Sequence, residues 1–232
     1  TLTVNGNLYQ IGSTNSQLKI NGGRLIIKGD YLLAGDVDNS AYGYGYLFMT
    51  NAEDYMLVEG NFSMWTPYGH SGRYTAGLLE IKGNFTYKGT SIAADFDATG
   101  THKVILSGSQ KQTAYFSNPG AGGERSHFNI LELKNSSAEG VDFLPSLAVN
   151  TLINNDMNFI GDTRIEHMSY ILSENKTVSG DLFLVNNSLD LNGYTLTVNG
   201  NLYQVGRTNS QLKINGGRLI IKGDYLLAGD VD

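Results

Sequence analysis

The sequence predicts an all-β parallel β-helix, a solenoid of about ten rungs of about 24 residues each, and three observations predict it. A short phrase (apolar, any, apolar, any, Gly, Asn or Asp, then an aromatic or Leu) recurs along all 232 residues. The phrase carries the two-residue alternation of a strand. Helical periodicity is missing, and Gly or Asn interrupts almost every ten-residue window. Short strands at even spacing also suit a sandwich. A sandwich, however, gives no reason for glycine followed by Asn or Asp at the same place in each of the clear copies.

The clearest copies begin at Leu2 (LTVNGNL), Leu25 (LIIKGDY), Met56 (MLVEGNF), Leu79 (LEIKGNF), Leu196 (LTVNGNL) and Leu219 (LIIKGDY). Weaker copies begin at Val104 (VILSG), Leu131 (LELKN) and Val178 (VSGDL), and the poorest is Met157-Asn158-Phe159. The glycine-equivalent positions are 6, 29, 60, 83, 108, 135, 157, 180, 200 and 223. In each strand the apolar pair faces inward: Leu25 and Ile27, Leu79 and Ile81, Leu131 and Leu133, Leu219 and Ile221. Gly29, Gly60, Gly83 and Gly223 turn the corners, where glycine tolerates positive φ. A second phrase precedes the first by seven residues, at Leu18 (LKING) and Leu189 (LDLNG), so two strands and two corners make up much of a rung. Stacked rungs lie about 4.8 Å apart, and the Asn or Asp after each glycine is the best candidate for a ladder between them. Length varies in the return segments, which hold Pro67, Pro119 and Pro145 and are expected to project from the flanks.

A longer period encloses the short one. Residues Thr1 to Asp38 recur as Thr195 to Asp232 with two changes, Ile11 to Val205 and Ser13 to Arg207, at an offset of 194. Identity at that level reads as recent duplication. The expected organisation is one full tandem unit over 1–194 holding about eight rungs, then the start of the next unit over 195–232, as a continuous solenoid without a linker. The chain reads as a segment of a much longer repetitive protein.

These phrases, with the passage GTHKVILSGSQKQTAYFSNP from Gly100 and the FNILELKNSS that begins at Phe128, resemble the β-helical repeats of large bacterial surface proteins, the filamentous-haemagglutinin-type adhesins and repeat-rich clostridial surface proteins. The resemblance implies a secreted, extended, right-handed parallel β-helix whose work is reach. It supplies no catalytic residues. The chain shows neither the secretion domain of that family nor an anchor, and no signal peptide is visible at its start.

Composition narrows the chemistry. With no cysteine, the chain holds no disulfide, thiolate metal site or cysteine nucleophile. A formal charge of −6 with 16% charged residues argues against nucleic acid as the main partner. No stretch reaches the roughly 18–20 apolar residues of a membrane span. The histidines His70, His102, His127 and His167 lie in unrelated contexts without ligand spacing and read as surface or loop residues. Two carboxylate pairs, Asp36/Asp38 and Asp95/Asp97, are candidates for calcium, although a 12-residue ligand loop is missing and solvated loop acids are the simpler reading. Asp230/Asp232 repeats the first pair through the duplication. No cofactor is expected.

Three functions follow from this pattern. The first is a non-catalytic stalk of an extracellular, cell-surface repeat protein that presents a distal adhesive or effector domain. Its partners would be adjacent units of the same chain, and the uncapped end rungs are expected to stack end to end. The second is a glycan- or receptor-binding module. Tyr42, Tyr44 and Tyr46, with Trp65, Tyr68, Arg73 and Tyr74, concentrate aromatic faces beside polar donors in two loops. Those aromatics equally suit packing back on the solenoid flank. The third is a polysaccharide-acting enzyme, which needs a unique cluster of carboxylates with a cation. The acids after the corner glycines repeat and do not form one. Ice binding would need extended Thr-x-Thr rows, and only Thr1/Thr3 and Thr195/Thr197 supply any.

Overall fold

A computed structural model describes the chain except residues 39–40, 90–95, 121–124, 138, 146, 155–162, 167–168, 173, 186–187, 207–209 and 229–232. Among the described residues it is built of 25 short strands and every pairing between them is parallel, as a β-solenoid requires.

Each rung contributes strands to three faces. The first face stacks Leu2–Val4, Arg24–Ile27, Tyr55–Val58, Leu78–Ile81, Lys103–Leu106, Phe128–Leu133 and Val149–Asn154 in sequence order. It resumes with Lys176–Val178, Thr195–Val198 and Arg218–Ile221. The second face stacks Leu8–Ile11, Tyr31–Ala34, Phe62–Thr66, Phe85–Gly89, Gln112–Phe116 and Val141–Leu144, then Thr163–Glu166, Leu182–Val185, Leu202–Val205 and Tyr225–Ala228. The third face is the shortest: Gln17–Lys19 with Tyr46–Phe48 near the start, and Ser169–Ile171, Ser188–Asp190 and Gln211–Lys213 near the end. Between them it narrows to single bridges, Met49 to Tyr74 and Tyr74 to Ala98.

Register on the first face runs Leu2, Leu25, Met56, Leu79, Val104, Leu131, Leu152, and again Lys176, Leu196, Leu219. These pairings join about eight turns, most of them near 23 residues, slightly fewer than the ten rungs counted from the phrases. Residues 155–162, with Met157 and Phe159, lie outside the described residues. The phrase register there is one residue late. It makes Ile153 the inward residue, but Leu152 partners Leu131 and is buried while Ile153 is exposed. A one-residue slip swaps the two faces of a strand, so burial decides the matter.

One hydrophobic cluster runs from Leu25 to Leu202 and holds Ile27, Leu79, Ile81, Leu131 and Leu133. Leu219 and Ile221 pack on it half-buried, because their strand is the last of its sheet. In the middle rungs aromatics thicken the core: Phe62 stacks on Phe85 at 5.4 Å, and Phe96, Phe116 and Phe128 close around them.

The corners fall into two chemical types. At the first, successive glycines bond through their backbones: Gly29 N–H to Gly6 O, Gly60 to Gly29 and Gly83 to Gly60, at 3.1, 3.0 and 3.0 Å. The following Asn or Asp side chain accepts the amide of its counterpart one rung on. Asn7 Oδ1 takes Asp30 N–H at 2.8 Å, Asp30 takes Asn61 at 2.6 Å, Asn61 takes Asn84 at 2.9 Å and Asn84 takes Thr113 at 2.8 Å. The ladder restarts with Asp181 to Asn201 and Asn201 to Asp224. None of Gly29, Gly60, Gly83 and Gly223 has positive φ, contrary to expectation. Glycine is needed because a Cβ at Gly29, Gly60 or Gly223 would lie inside 3.0 Å of the Asx oxygen of the preceding rung, and at Gly83 of the Gly60 carbonyl. The second type carries the positive φ: Asn21-Gly22, Asn192-Gly193 and Asn215-Gly216 have φ of 53°/79°, 46°/85° and 45°/78°, a left-handed pair that Asn and Gly adopt at least cost.

Candidate functional site

Alternation along the strand Phe62–Thr66 sends Phe62, Met64 and Thr66 into the core and leaves Trp65 on the outer surface. Lys88 is the register partner of Trp65, and its Nζ lies 3.9 Å from the ring centroid. Tyr42 reaches the same indole from the return segment, with ring centroids 6.1 Å apart. That segment is pinned by Gly43, whose amide bonds Trp65 O at 2.8 Å and which has no room for a Cβ beside the Ala34 backbone. Tyr42 is exposed, Trp65 is half-buried, and the enclosed indole Nε1 makes no hydrogen bond.

A second cluster sits around the next corner. Tyr46 and Tyr68 stack at 5.7 Å, Tyr44 meets Tyr68 edge-on at 5.3 Å, and the Arg73 guanidinium lies 4.1 Å from the Tyr46 centroid and 5.7 Å from that of Phe48. Arg73 Nη1 also donates to Gly69 O and Ser71 O at 3.0 and 3.2 Å, which ties the loop into a closed turn. Such cation–π contacts contribute about 0.5–1 kcal/mol each where water reaches them. Tyr74 belongs to neither surface. It is fully buried, stacks on Phe96 at 4.3 Å and directs its hydroxyl to Met64 Sδ at 3.3 Å. The two loops therefore bring Tyr42, Trp65 and Lys88 together, gather Tyr44, Tyr46, Tyr68 and Arg73 separately, and give Tyr74 to the core.

The histidines correct the sequence reading. His70, His102 and His127 are all buried, and His167 lies outside the described residues. Imidazole is flat enough to join the aromatic layer: His70 stacks on Tyr74 at 5.8 Å, and His102 lies 5.4 Å from Tyr74 and 6.2 Å from Phe96. Burial holds His70 down to about 3, with a further push from the Arg73 charge, while its Nδ1 lies 3.1 Å from both Tyr68 O and the Tyr87 hydroxyl. Burial alone takes His102 to about 3, and neither of its ring nitrogens has a hydrogen-bond partner. Both are neutral at physiological pH.

Of the calcium candidates, Asp95 lies outside the described residues, as do Asp230 and Asp232. Asp36 and Asp38 fall in the turn after Tyr31–Ala34, the first half-buried and the second exposed. Asp97 accepts Ser71 Oγ at 2.7 Å and lies 3.6 Å from His127 Nε2, whose Nδ1 is 3.3 Å from Arg125 O. That wiring places the carboxylate between hydroxyl and imidazole. A serine nucleophile needs the imidazole in the middle to take its proton.

Several polar residues with structural work were missed. Asp54 closes a turn by accepting Gly22, Thr50 and Asn51 amides at 2.5, 2.8 and 3.0 Å. Gln112 and Asn135 replace the Gly–Asx corner in the weak copies: Gln112 Oε1 takes Gly108 N–H at 2.9 Å and Asn135 Nδ2 at 2.8 Å, and its Nε2 reaches Ile81 O and Gly83 O. Glu132, buried on the first face, is bracketed by Lys103 and Lys134. On the same face Glu59 bridges Lys28 and Lys82 at 3.1 and 3.3 Å, beside a groove completed by Ser107, Ser109 and Gln110. The signal for Gln112 was the absent Asx after Gly108, which left a corner without its usual acceptor.

No protein-family model matches the chain, and no curated protein or solved structure matches it.

Proposed function

We propose that the chain is a non-catalytic structural stalk segment of a large tandem-repeat extracellular protein of the bacterial adhesin type, held at the cell surface and presenting a distal adhesive or effector domain. The observation that carries this reading is the Gly–Asx ladder, in which one hydrogen-bonded corner is repeated at both ends of a 194-residue period. A corner repeated from rung to rung at both ends of the period favours length over a unique site. Stability in such a chain accumulates from nearest-neighbour interfaces, so units can be added without redesign. Small-angle scattering on chains carrying one and two 194-residue units tests it. The rod should lengthen by roughly 38 Å per unit, from eight strand spacings, at constant cross-section; a thickening particle contradicts the reading.

One observation favours a second reading, a glycan- or receptor-binding module: Tyr42 is exposed beside Trp65, and Lys88 covers the indole. A glycan array with Trp65→Ala as control decides it. Binding lost in the variant supports the module, and no binding by the unaltered chain removes it.

A further inference from the structure

We infer that Asn192 is a self-modification site: the amide of Gly193 closes on the Asn192 side chain, ammonia leaves, and the corner between Ser188–Asp190 and Thr195–Val198 acquires an aspartate or isoaspartate. The inference rests on the geometry of the corners and on neither functional reading.

The nucleophile in this reaction is the glycine amide nitrogen, so the step needs an N–H that is free to lose its proton. Three Asn-Gly steps differ in what holds that amide. At Asn199 the Gly200 N–H donates to Gly180 O at 3.0 Å, as part of the corner stack. At Asn21 the Gly22 N–H donates to Asp54 Oδ1 at 2.5 Å. A carboxylate that close also opposes the negative charge which the nitrogen must take on. At Asn192 neither restraint exists. Gly193 is exposed, a Cβ there would meet nothing within 4 Å, and among the described residues its amide has no acceptor.

The difference comes from the following rung. Asp54 stands in the segment TNAED, residues 50–54, that lengthens the rung after Gly22. The rung after Gly193 passes from Gln211–Lys213 straight into the Asn215-Gly216 corner, and residues 211–217 contain no acid. Asp190, in the same turn as Asn192, is engaged elsewhere: Oδ1 accepts the Asn192 N–H at 2.8 Å and Oδ2 accepts Asn215 Nδ2 at 3.0 Å.

The atoms balance without any co-reactant but water. Gly193 N bonds Asn192 Cγ, the Cγ–Nδ2 bond breaks, and the glycine amide proton leaves with that nitrogen as ammonia. Water then opens the succinimide at either carbonyl. The departing Nδ2 is the atom that donates to Leu172 O at 3.2 Å, so the product loses a bond to the preceding rung and gains a carboxylate beside Asp190.

Cleavage after glutamate puts Asn21 in peptide 1–53 and both Asn192 and Asn199 in peptide 175–232. The folded chain is held at mildly alkaline pH and sampled by tandem mass spectrometry. Conversion at Asn192 should run roughly tenfold faster than at Asn21 or Asn199, the ratio that one hydrogen bond to the nucleophile supplies. Labelling by an isoaspartyl methyltransferase should fall on the same residue. In concentrated urea the three rates should draw together. Asp54→Ala should bring Asn21 up toward Asn192 while Asn199, which reports that the chain is still folded, stays slow. Equal rates in the folded chain overturn the inference, and so does a lead of Asn192 that persists in urea.

Discussion

The segments 1–38 and 195–232 hold nearly one sequence in two settings. Their internal geometry agrees. Gln10 and Gln204 donate to Ser16 O and Ser210 O at 3.0 and 2.7 Å, and Tyr31 and Tyr225 hydroxyls bond those same glutamines at 2.8 and 2.6 Å. Asn21 and Asn215 share their left-handed φ. Burial does not agree. Tyr31 is fully buried and Tyr225 is half exposed, while Leu2 is exposed and Leu196 is not. The residues specify the rung, and the neighbouring rung specifies its stability. Each copy is thus a control for the other, and substitutions at matched positions separate what a residue does locally from what it does between rungs.

The largest contrast should come from Leu33→Ala against Leu227→Ala. The first opens a cavity beneath a covered strand and should cost about 2–5 kcal/mol. The second trims an exposed side chain and should stay within about 0.5 kcal/mol. Chemical denaturation checks both, and equal losses break the comparison. Next comes Gly200→Ala against Gly6→Ala. A Cβ at Gly200 would collide with Asp181, whereas one at Gly6 would meet nothing within 4 Å. About 1–3 kcal/mol is expected for Gly200 and almost nothing for Gly6.

Acid should act on the rungs between the copies, since neither copy contains a histidine. His70 and His102 are held near 3 in the folded chain, below the ordinary 6.5. The unfolded chain takes up their protons first, so their contribution is fully present above about pH 6.5 and falls as pH drops toward 3. The slope is about 1.4 kcal/mol per pH unit for each histidine. His102→Phe should remove one proton from that slope in denaturation midpoints taken between pH 7 and 4, and an unchanged slope would show that His102 is not buried neutral. The smallest contrast is Asp30→Ala against Asp224→Ala. Asp30 accepts the Asn61 amide at 2.6 Å and should cost about 1 kcal/mol. Asp224 ends the ladder among the described residues, and its loss should be neutral by the same measurement.

Much of this was legible in the sequence, and the exceptions share a cause. Alternation identified the inward pairs Leu25/Ile27 and Leu79/Ile81, and the recurring Asx identified the ladder, because both signals repeat with the rung. The reason for the corner glycines was not legible. It lies in an oxygen from a residue 19 to 30 positions earlier, as with Asn7 and Gly29, and not in the local backbone. His70 and His102 looked like loop residues because no period marks them, yet the narrowing of the third face around Tyr74 draws both into the aromatic layer. The inward choice of Leu152 over Ile153 was open for the same reason: that copy has no glycine to fix its register.

The following rung, and not the residues themselves, sets the protection of each strand. The segment 23–34 and its copy 217–228 have one sequence, GRLIIKGDYLLA, so digestion releases one peptide from two places. Hydrogen exchange at a concentration where the chain is monomeric should give that peptide two isotopic envelopes of equal weight. The slow one comes from the covered copy, where Tyr31 N–H bonds Asn61 O at 2.9 Å, and the fast one comes from the uncovered copy. A single envelope throughout the time course would show that the residues themselves, and not the following rung, set that protection.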